Sequence, residues 1–318
     1  MAANENPVTA PTLNAIPKIK SKSSYKRKLT LYGVLFALPW MLGILIFSAY
    51  PLVMSIYYSF TSYSILDAGQ WVGIGNYKEL MSDNTFRISI YNTLYYTLIS
   101  VPLNIAVGVA LALLLNTKIR GQGIYRTLFF IPSLVPAVAT TIIWMWLLNP
   151  QFGLVNYWLE KIGISGPPWL GDEHWAKPSL ILMSLWGVGQ AIVIYLAGLQ
   201  DIPQDYYDAA DVDGASTARK LRHITLPLMT PVIFFNLIMG VIGTMQNFVL
   251  PYTLTNGTGA PAGSLMFYVM YLYQNAFLYL KMGYASAMAW ILFLIVLVLT
   301  ILIFVSQKRW VHYQGKES

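Results

Sequence analysis

The sequence has no cysteine and few charged residues. Only 10% of its 318 residues are charged and 56% are hydrophobic, whereas roughly 25% of the residues in a soluble domain are charged. Without cysteine the chain forms no disulfide, no thiolate zinc site and no cysteine nucleophile. The three histidines, His174, His223 and His312, are far apart in the sequence and do not form a metal or catalytic motif. The shortage of charge excludes an ordinary water-soluble globule.

The charged residues cluster and leave six windows without Asp, Glu, Lys, Arg or His. Each window exceeds the roughly 20 apolar residues that a helix needs to cross about 30 Å of hydrocarbon. The sequence therefore predicts an all-α membrane protein with six transmembrane helices. The windows are residues 31–60, 89–115, 127–148, 178–200, 228–250 and 284–306.

The distribution of basic residues predicts the orientation of the chain. With six spans, 15 of the 20 Lys and Arg residues fall on the side that holds both termini. Because basic residues accumulate on the cytoplasmic side, both termini are expected there. The charge-free stretch 264–280 is not counted as a seventh span, since that would move Lys308, Arg309 and Lys316 outside. It is expected to lie at the outer surface or to re-enter the membrane part way.

The chain divides into one membrane domain and two tails. Residues 1–30 are rich in Ala, Asn, Pro, Ser and Lys and are expected to form a disordered, basic cytoplasmic tail. Residues 31–307 form the six-helix domain, and residues 308–318 form a second cytoplasmic tail. The net charge of +7 is explained by the cytoplasmic segments, with no aromatic-interleaved basic face, so nucleic acid is not an expected partner.

One charged loop, residues 201–227, lies between the fourth and fifth apolar windows. Asp205 is suited to cap a short helix that stops at Gly214, and Pro227 is suited to the start of the fifth span. A short amphipathic helix held between two spans suits the transmission of movement from a soluble partner. Two alternatives stand beside this one. Asp208, Asp211 and Asp213 are ordinary solvated loop acids, or they bind a metal, which is disfavoured because Asp208 and Asp213 project from different helix faces and no His joins them.

The residues of this loop resemble a known pattern. Asp208-Ala-Ala, Asp213-Gly-Ala and Ile224-Thr-Leu-Pro are similar to the EAA loop of permease subunits of binding-protein-dependent ABC importers, with Asp208 in place of the usual Glu. The segment from Ile119 onward and the run "MGYASAMAWILFLIV" resemble the larger, maltose-type permeases of the carbohydrate uptake branch. The resemblance covers about residues 29–308. It implies the type I ABC importer permease fold and a multi-pass protein of the bacterial plasma membrane.

The resemblance also implies partners. The loop of such permeases is a coupling helix that docks on an ATP-hydrolysing subunit, with Arg219, Lys220 and Arg222 flanking the contact here. A similar but distinct permease, two ATPase subunits and an extracytoplasmic solute-binding protein complete the complex. This chain is not itself an enzyme, because its one Gly-Lys pair, at Gly315, lacks the remainder of a P-loop. ATP and Mg are bound by the partners, and no metal or cofactor is expected in this chain. The implied coupling residues are Asp208, Ala209, Ala210, Asp213 and Gly214.

A stripe of small and polar residues in the fifth window predicts either a solute pathway or close helix packing. Its members are spaced to share one helix face, and both uses are physically reasonable. The resemblance favours the pathway and adds residues of the fourth window. The stripe residues are Asn236, Gly240, Gly243, Thr244 and Asn247, and the added residues are Trp186, Gly187 and Gln190.

The substrate expected from this pathway is a neutral sugar or oligosaccharide. The pathway face has no Lys or Arg to balance an anion. Another small solute such as glycerol 3-phosphate stays as an alternative. A passive channel is a further alternative, but it leaves the pattern from Asp208 to Pro227 unexplained. An ion-driven transporter is disfavoured because the windows contain no carboxylate and no Lys, Arg or His side chain.

Overall fold

The computed structural model describes residues 22–117 and 120–312. Within these residues every regular element is helical, and the one β-bridge joins Thr61 to Trp71. The prediction of an all-α protein is therefore confirmed. Predictions that concern residues 1–21, Lys118, Ile119 or residues 313–318 lie outside the described residues. The described chain forms two units, which meet in sequence between Met54 and Ser55.

The first unit is a single apolar helical run. Helix α1 spans Lys22–Ile44 and continues through a π-helical turn, Leu45–Ala49, into α2, Tyr50–Ser59, whose later residues belong to the second unit. Residues 22–30 are therefore helical, which corrects the expected disorder up to residue 30. The physical reason is that a helix extends more easily than it nucleates, so the apolar run recruits the basic residues before it.

The second unit contains the remaining helices, and several of them pack against the longest one, α4 (Asn84–Leu115). Their bounds follow in chain order. They are α3 Gly75–Ser82, α4 Asn84–Leu115, α5 Gln122–Phe130, α6 Ala137–Leu147, α7 Leu154–Lys161, α8 Glu173–Ser184, α9 Gly189–Gln200, α10 Gln204–Val212, α11 Thr217–Lys220, α12 Leu226–Met245, α13 Val249–Thr255, α14 Tyr268–Tyr273 and α15 Met282–Trp310.

Within residues 22–117 and 120–312, four helical runs are long and apolar enough to cross a membrane, and two bent helix pairs meet the same criteria together. The four are Arg27–Ser59, Asn84–Leu115, Thr217–Thr255 and Met282–Trp310. The bent pairs correspond to the third and fourth windows, so the helix is broken within each of these windows.

The bends follow from proline and glycine. Helices α5 and α6 meet at 98° across a 3₁₀ turn, Ile131–Leu134, where Pro132 and Pro136 supply no backbone N–H to continue the helix. Helices α8 and α9 meet at 52° after a second 3₁₀ turn, Leu185–Gly187. A side chain at Gly189 would place its Cβ 2.5 Å from the carbonyl oxygen of Phe129, so only glycine allows α9 to approach α5 this closely.

The core lies along both ends of α4. Near its beginning, Phe86 packs in one cluster with Met245, Tyr268 and Met288, and near its end, Leu115 packs with residues of α9 and α12. The segment 264–280 belongs to this core, because Phe267 and Tyr268 are fully buried. Both expectations for that segment, a helix at the outer surface and a partial re-entry, stay predictions.

The beginning of α4 is fixed by one carboxylate, Asp83. It accepts hydrogen bonds from the backbone N–H groups of Thr85 and Phe86 and from the hydroxyls of Tyr271, at 2.5 Å, and Tyr284, at 2.6 Å. Burial raises the pKa of Asp83, but these four hydrogen bonds together outweigh burial, so the pKa lies below its ordinary value. Burial, with a smaller contribution from Asp83, raises the pKa of Tyr271 to about 12. Asp83 therefore connects the beginning of α4 to two tyrosines that lie 188 and 201 positions later in the chain.

Candidate functional site

The charged loop forms a short helix, α10, followed by an abrupt stop. The N-cap position is Pro203, so Asp205 lies in the first turn rather than at the cap, which corrects that expectation. Pro203 is pre-organised to precede a helix, and Asp205 still lies where a helix dipole favours an acid. The predicted stop at Gly214 is confirmed, because Gly214 has φ +71 and the N–H of Ala215 bonds to the carbonyl of Ala210 at 2.9 Å.

Helix α10 presents one exposed face. Asp208 and Ala209 are exposed, and Val212 exposes 89% of its surface although it is apolar. The Asp208 carboxylate has one side-chain contact within the described chain, a hydrogen bond of 3.1 Å from the Gln204 amide. Gly214 is also exposed, and a Cβ at this position would meet nothing within 4 Å. An exposed carboxylate, small residues and an apolar tip form a surface suited to a protein partner.

The opposite face of α10 contacts the chain itself. The Tyr207 hydroxyl lies 3.0 Å from the Thr225 hydroxyl, and the Lys220 ammonium lies 2.6 Å from the Asp211 carboxylate. Ala210 and Asp213 line an open groove of about 390 Å³ between α10 and the segment that begins the fifth span. Of the five predicted coupling residues, four are exposed and Ala210 is half-buried, and Ala210 and Asp213 both line this open groove. Lys220, predicted to flank a partner, is engaged within the chain.

The loop acids do not form a metal site in the described residues. No group of three or more His, Asp or Glu side chains there is arranged to hold an ion. Asp211 is neutralised by Lys220, whereas Asp208 faces solvent and Asp213 lines the groove.

The predicted residues of the fourth window meet in a second cavity. Trp186, Gly187 and Gln190 line a space of about 260 Å³ at the bend between α8 and α9. The Trp186 ring packs edge-to-face on Trp144, with ring centres 5.9 Å apart. Among the described residues none of those lining this cavity is charged, and Trp186 and Gln190 are exposed. An aromatic face beside amide and hydroxyl groups is suited to a neutral hydroxyl-rich ligand.

Several residues of this cavity were missed by reasoning from the sequence. Ser133 and Thr140 come from the bend between α5 and α6, so the cavity forms where the two helix breaks meet. Broken membrane helices commonly line binding sites, because their freed backbone groups need a polar environment. The prolines at positions 132 and 136, inside a charge-free window, were the available signal. Ser184, which also lines the cavity, accepts a hydrogen bond of 2.9 Å from the Asn104 amide. These two residues are 80 positions apart, so no local sequence pattern could predict their contact.

The stripe in the fifth window divides into packed and open positions. A Cβ at Gly240 would lie 3.1 Å from Val101, so Gly240 allows α12 to pack on α4. Gly243 has open space around it. The side chains of Asn236 and Thr244 bond to carbonyls of their own helix, at 2.9 and 2.8 Å, rather than to another helix. Asn247 lies beyond the end of α12 at Met245, which corrects its placement on the same helix face.

Comparison with known proteins identifies similar chains. Residues 104–312 match the family model described as "Binding-protein-dependent transport system inner membrane component". The chain is 40% identical over 299 residues to the "Probable ABC transporter permease protein YesP" of Bacillus subtilis (strain 168), covering 93% of this chain and 96% of that protein. It is 34% identical over 295 residues to the "Lactose transport system permease protein LacF" of Rhizobium radiobacter, covering 91% and 98%.

A solved structure has the same fold. It is a chain of a bacterial ABC transporter involved in the import of the acidic polysaccharide alginate. The TM-score is 0.74 with 24% sequence identity, and the alignment covers 90% of this chain and 97% of the other. The chain therefore has the fold of an ABC importer permease.

Proposed function

Because the chain belongs to the family of inner membrane components of binding-protein-dependent transport systems, we propose that it is the permease subunit that moves a sugar or oligosaccharide through an ATP-driven importer. The observation that carries this proposal is the exposed face of α10, which presents an acid and small residues beside an apolar tip. A few residues after α10 the chain enters the candidate span Thr217–Thr255. In this proposal the face docks on an ATPase subunit. ATP and Mg are held by the ATPase partners, and this chain hydrolyses nothing.

Six spans follow if each bent helix pair crosses the membrane once. The excess of basic residues then supports a cytoplasmic position for both termini and for α10. The membrane domain extends over residues 31–307, with the coupling loop at 201–227 and a short tail at 308–318. The expected complex contains a second, similar permease, two ATPase subunits and an extracytoplasmic binding protein.

The cavity at the helix breaks is the proposed solute pathway. Its lining of Trp186, Gly187 and Gln190, with no charged side chain among the lining residues, supports a neutral saccharide. The similarity to LacF supports the same class of solute. Gly243 and Thr244 of α12 and Asn247 beyond its end remain proposed pathway residues, whereas Gly240 packs against α4.

The test is purification of the chain expressed with its neighbouring genes, followed by ATPase assays in lipid nanodiscs. A panel of neutral and acidic saccharides is added with the binding protein. We expect an ATPase subunit to copurify and one class of neutral saccharide to stimulate ATP hydrolysis. A chain that purifies alone and conducts solute without ATP would contradict the proposal and favour a channel. Stimulation by glycerol 3-phosphate or an acidic saccharide would support the permease function but contradict the proposed class of solute.

A further inference from the structure

Helix α10 meets the segment that begins the fifth span through one apolar contact region and through polar side chains beside an open groove. Tyr207 of α10 and Ile224 both pack against the apolar cluster formed with α9 and α12. Next to this cluster lies a groove of about 390 Å³ between α10 and the segment 217–225, lined by Ala210, Asp213 and Lys220 among others. Beyond Tyr207, polar side chains connect α10 to this segment.

Two polar contacts between side chains are present, and they form one connected network. The Lys220 ammonium meets the Asp211 carboxylate at 2.6 Å, and the Tyr207 hydroxyl meets that of Thr225 at 3.0 Å. The Thr225 hydroxyl also donates to the backbone carbonyl of Lys220, at 3.4 Å. Tyr207 and Asp211 are one helical turn apart, so the contacts fix α10 at two points on its inward face.

The segment that receives these contacts continues directly into the span. Helix α11, the π-helical turn Leu221–Thr225 and α12 follow without an intervening loop, within the single candidate span Thr217–Thr255. A displacement of α10 that passes through Lys220 and Thr225 therefore acts on the base of α12. Loss of these contacts leaves fewer groups to pass a displacement of α10 on to α12.

We propose that the ion pair between Asp211 and Lys220, assisted by Tyr207 and Thr225, is the positioning contact that transmits movement of α10 to α12. The proposal rests on the proposed permease function. It assigns Lys220 to the inside of the chain rather than to the ATPase contact. An ion pair whose acid is 60% exposed contributes little to overall stability, so its loss should change coupling while leaving the fold and the complex intact.

The experiment measures the number of ATP molecules hydrolysed per solute transported, using the complete transporter in proteoliposomes. The variants are Asp211→Asn, Lys220→Met and the double exchange Asp211→Lys with Lys220→Asp. We expect each single variant to raise the ATP cost per solute about fivefold. The double exchange should restore a ratio near wild type, because the opposite charges meet again beside the same groove. Tyr207→Phe should raise the ratio less.

The matched control is Lys281→Met. Lys281 forms an ion pair with Glu79 at 3.5 Å, also partly exposed, on a different part of the chain. We expect it to leave the ratio unchanged. Single variants with a wild-type ratio, or a double exchange that fails to restore it, would overturn the positioning role. A wild-type transporter that moves solute without consuming ATP would instead refute the proposed function, so the two failures are distinguishable.

Discussion

Two acids at opposite ends of the helical bundle use their carboxylates in opposite ways. Asp83 precedes α4, a helix of 32 residues that is about 48 Å long, and it accepts four hydrogen bonds from its own chain. Asp208 lies on α10, near the cluster that contains the other end of α4, and accepts one bond from Gln204. An acid with all its partners inside the chain holds the fold together, whereas an exposed acid with one weak partner is free to bind another subunit.

The same contrast applies to glycines. Gly240 and Gly189 are needed because another part of this chain comes within 3.1 Å and 2.5 Å of the position of a Cβ. Gly243 has open space around it and no left-handed backbone, so the chain itself does not explain why a side chain is absent there. Gly214 also has open space around it, and only its φ of +71 favours glycine within this chain. A position left open by the chain is where a partner or a solute is expected.

The largest expected effect comes from Gly214→Asp. The added carboxylate would occupy the proposed docking surface, and the positive φ adds about 1–2 kcal/mol of backbone strain. We expect the variant to insert into the membrane normally but to lose more than about tenfold of its ATP-dependent transport. The measurement is solute uptake together with ATP hydrolysis in proteoliposomes.

The chain provides a matched control for this variant. Gly163 ends α7 with the same hydrogen-bond pattern, has φ +81 and also has no neighbour within 4 Å of a Cβ. Gly163→Asp therefore introduces the same strain and charge away from α10. Equal losses of transport in the two variants would mean that backbone strain, not docking, is responsible.

The next largest effect is the difference between Asp83 and Asp208 in their contribution to the free energy of unfolding. Asp83→Ala removes a helix cap and leaves the Tyr271 and Tyr284 hydroxyls without their acceptor, which should lower the free energy of unfolding by about 2 kcal/mol or more. Asp208→Ala should change it by less than about 0.5 kcal/mol while raising the ATP cost per solute. Thermal unfolding of the purified protein checks both. If Asp208→Ala destabilises the fold as strongly as Asp83→Ala does, the contrast between the acids is wrong.

A smaller effect depends on pH. Because the pKa of Asp83 is lowered in the folded chain, its contribution to stability is complete above its unfolded pKa of about 3.9 and is lost as the pH falls through the lower, folded value. The difference in unfolding temperature between wild type and Asp83→Asn should therefore be large near neutral pH and shrink below about pH 4. Glu79 and Lys281, which form a nearby ion pair, are the same in both proteins, so the difference isolates Asp83. A difference that stays constant down to low pH would contradict this assignment.

Reasoning from the sequence found the features that depend on neighbouring residues. The charge-free windows and the stop at Gly214 each follow from a short stretch of chain, and the structure contains all of them as helices or as a helix end. The direction of the helix breaks was not predictable, because Pro132 interrupts a helix without fixing the angle of the next one. The Asp83 cluster was also out of reach, since Tyr271 and Tyr284 lie 188 and 201 residues away from Asp83 in sequence. The same limit applies to Ala210, whose inward position depends on how α10 packs.

The smallest expected effect tests the contrast within α12 alone. Leucine at Gly240 must displace Val101 and should lower the free energy of unfolding by about 1–3 kcal/mol, as overpacking does. A leucine at position 243 would contact no other part of the chain, so the Gly243→Leu variant should unfold like wild type. Its KM for the solute should change by about two- to threefold. Transport kinetics and thermal unfolding of the two variants in the same assembled complex check this. If Gly243→Leu instead releases the second permease with no change in KM, then the open space beside Gly243 is filled by a subunit, and the pathway is limited to the cavity at the helix breaks.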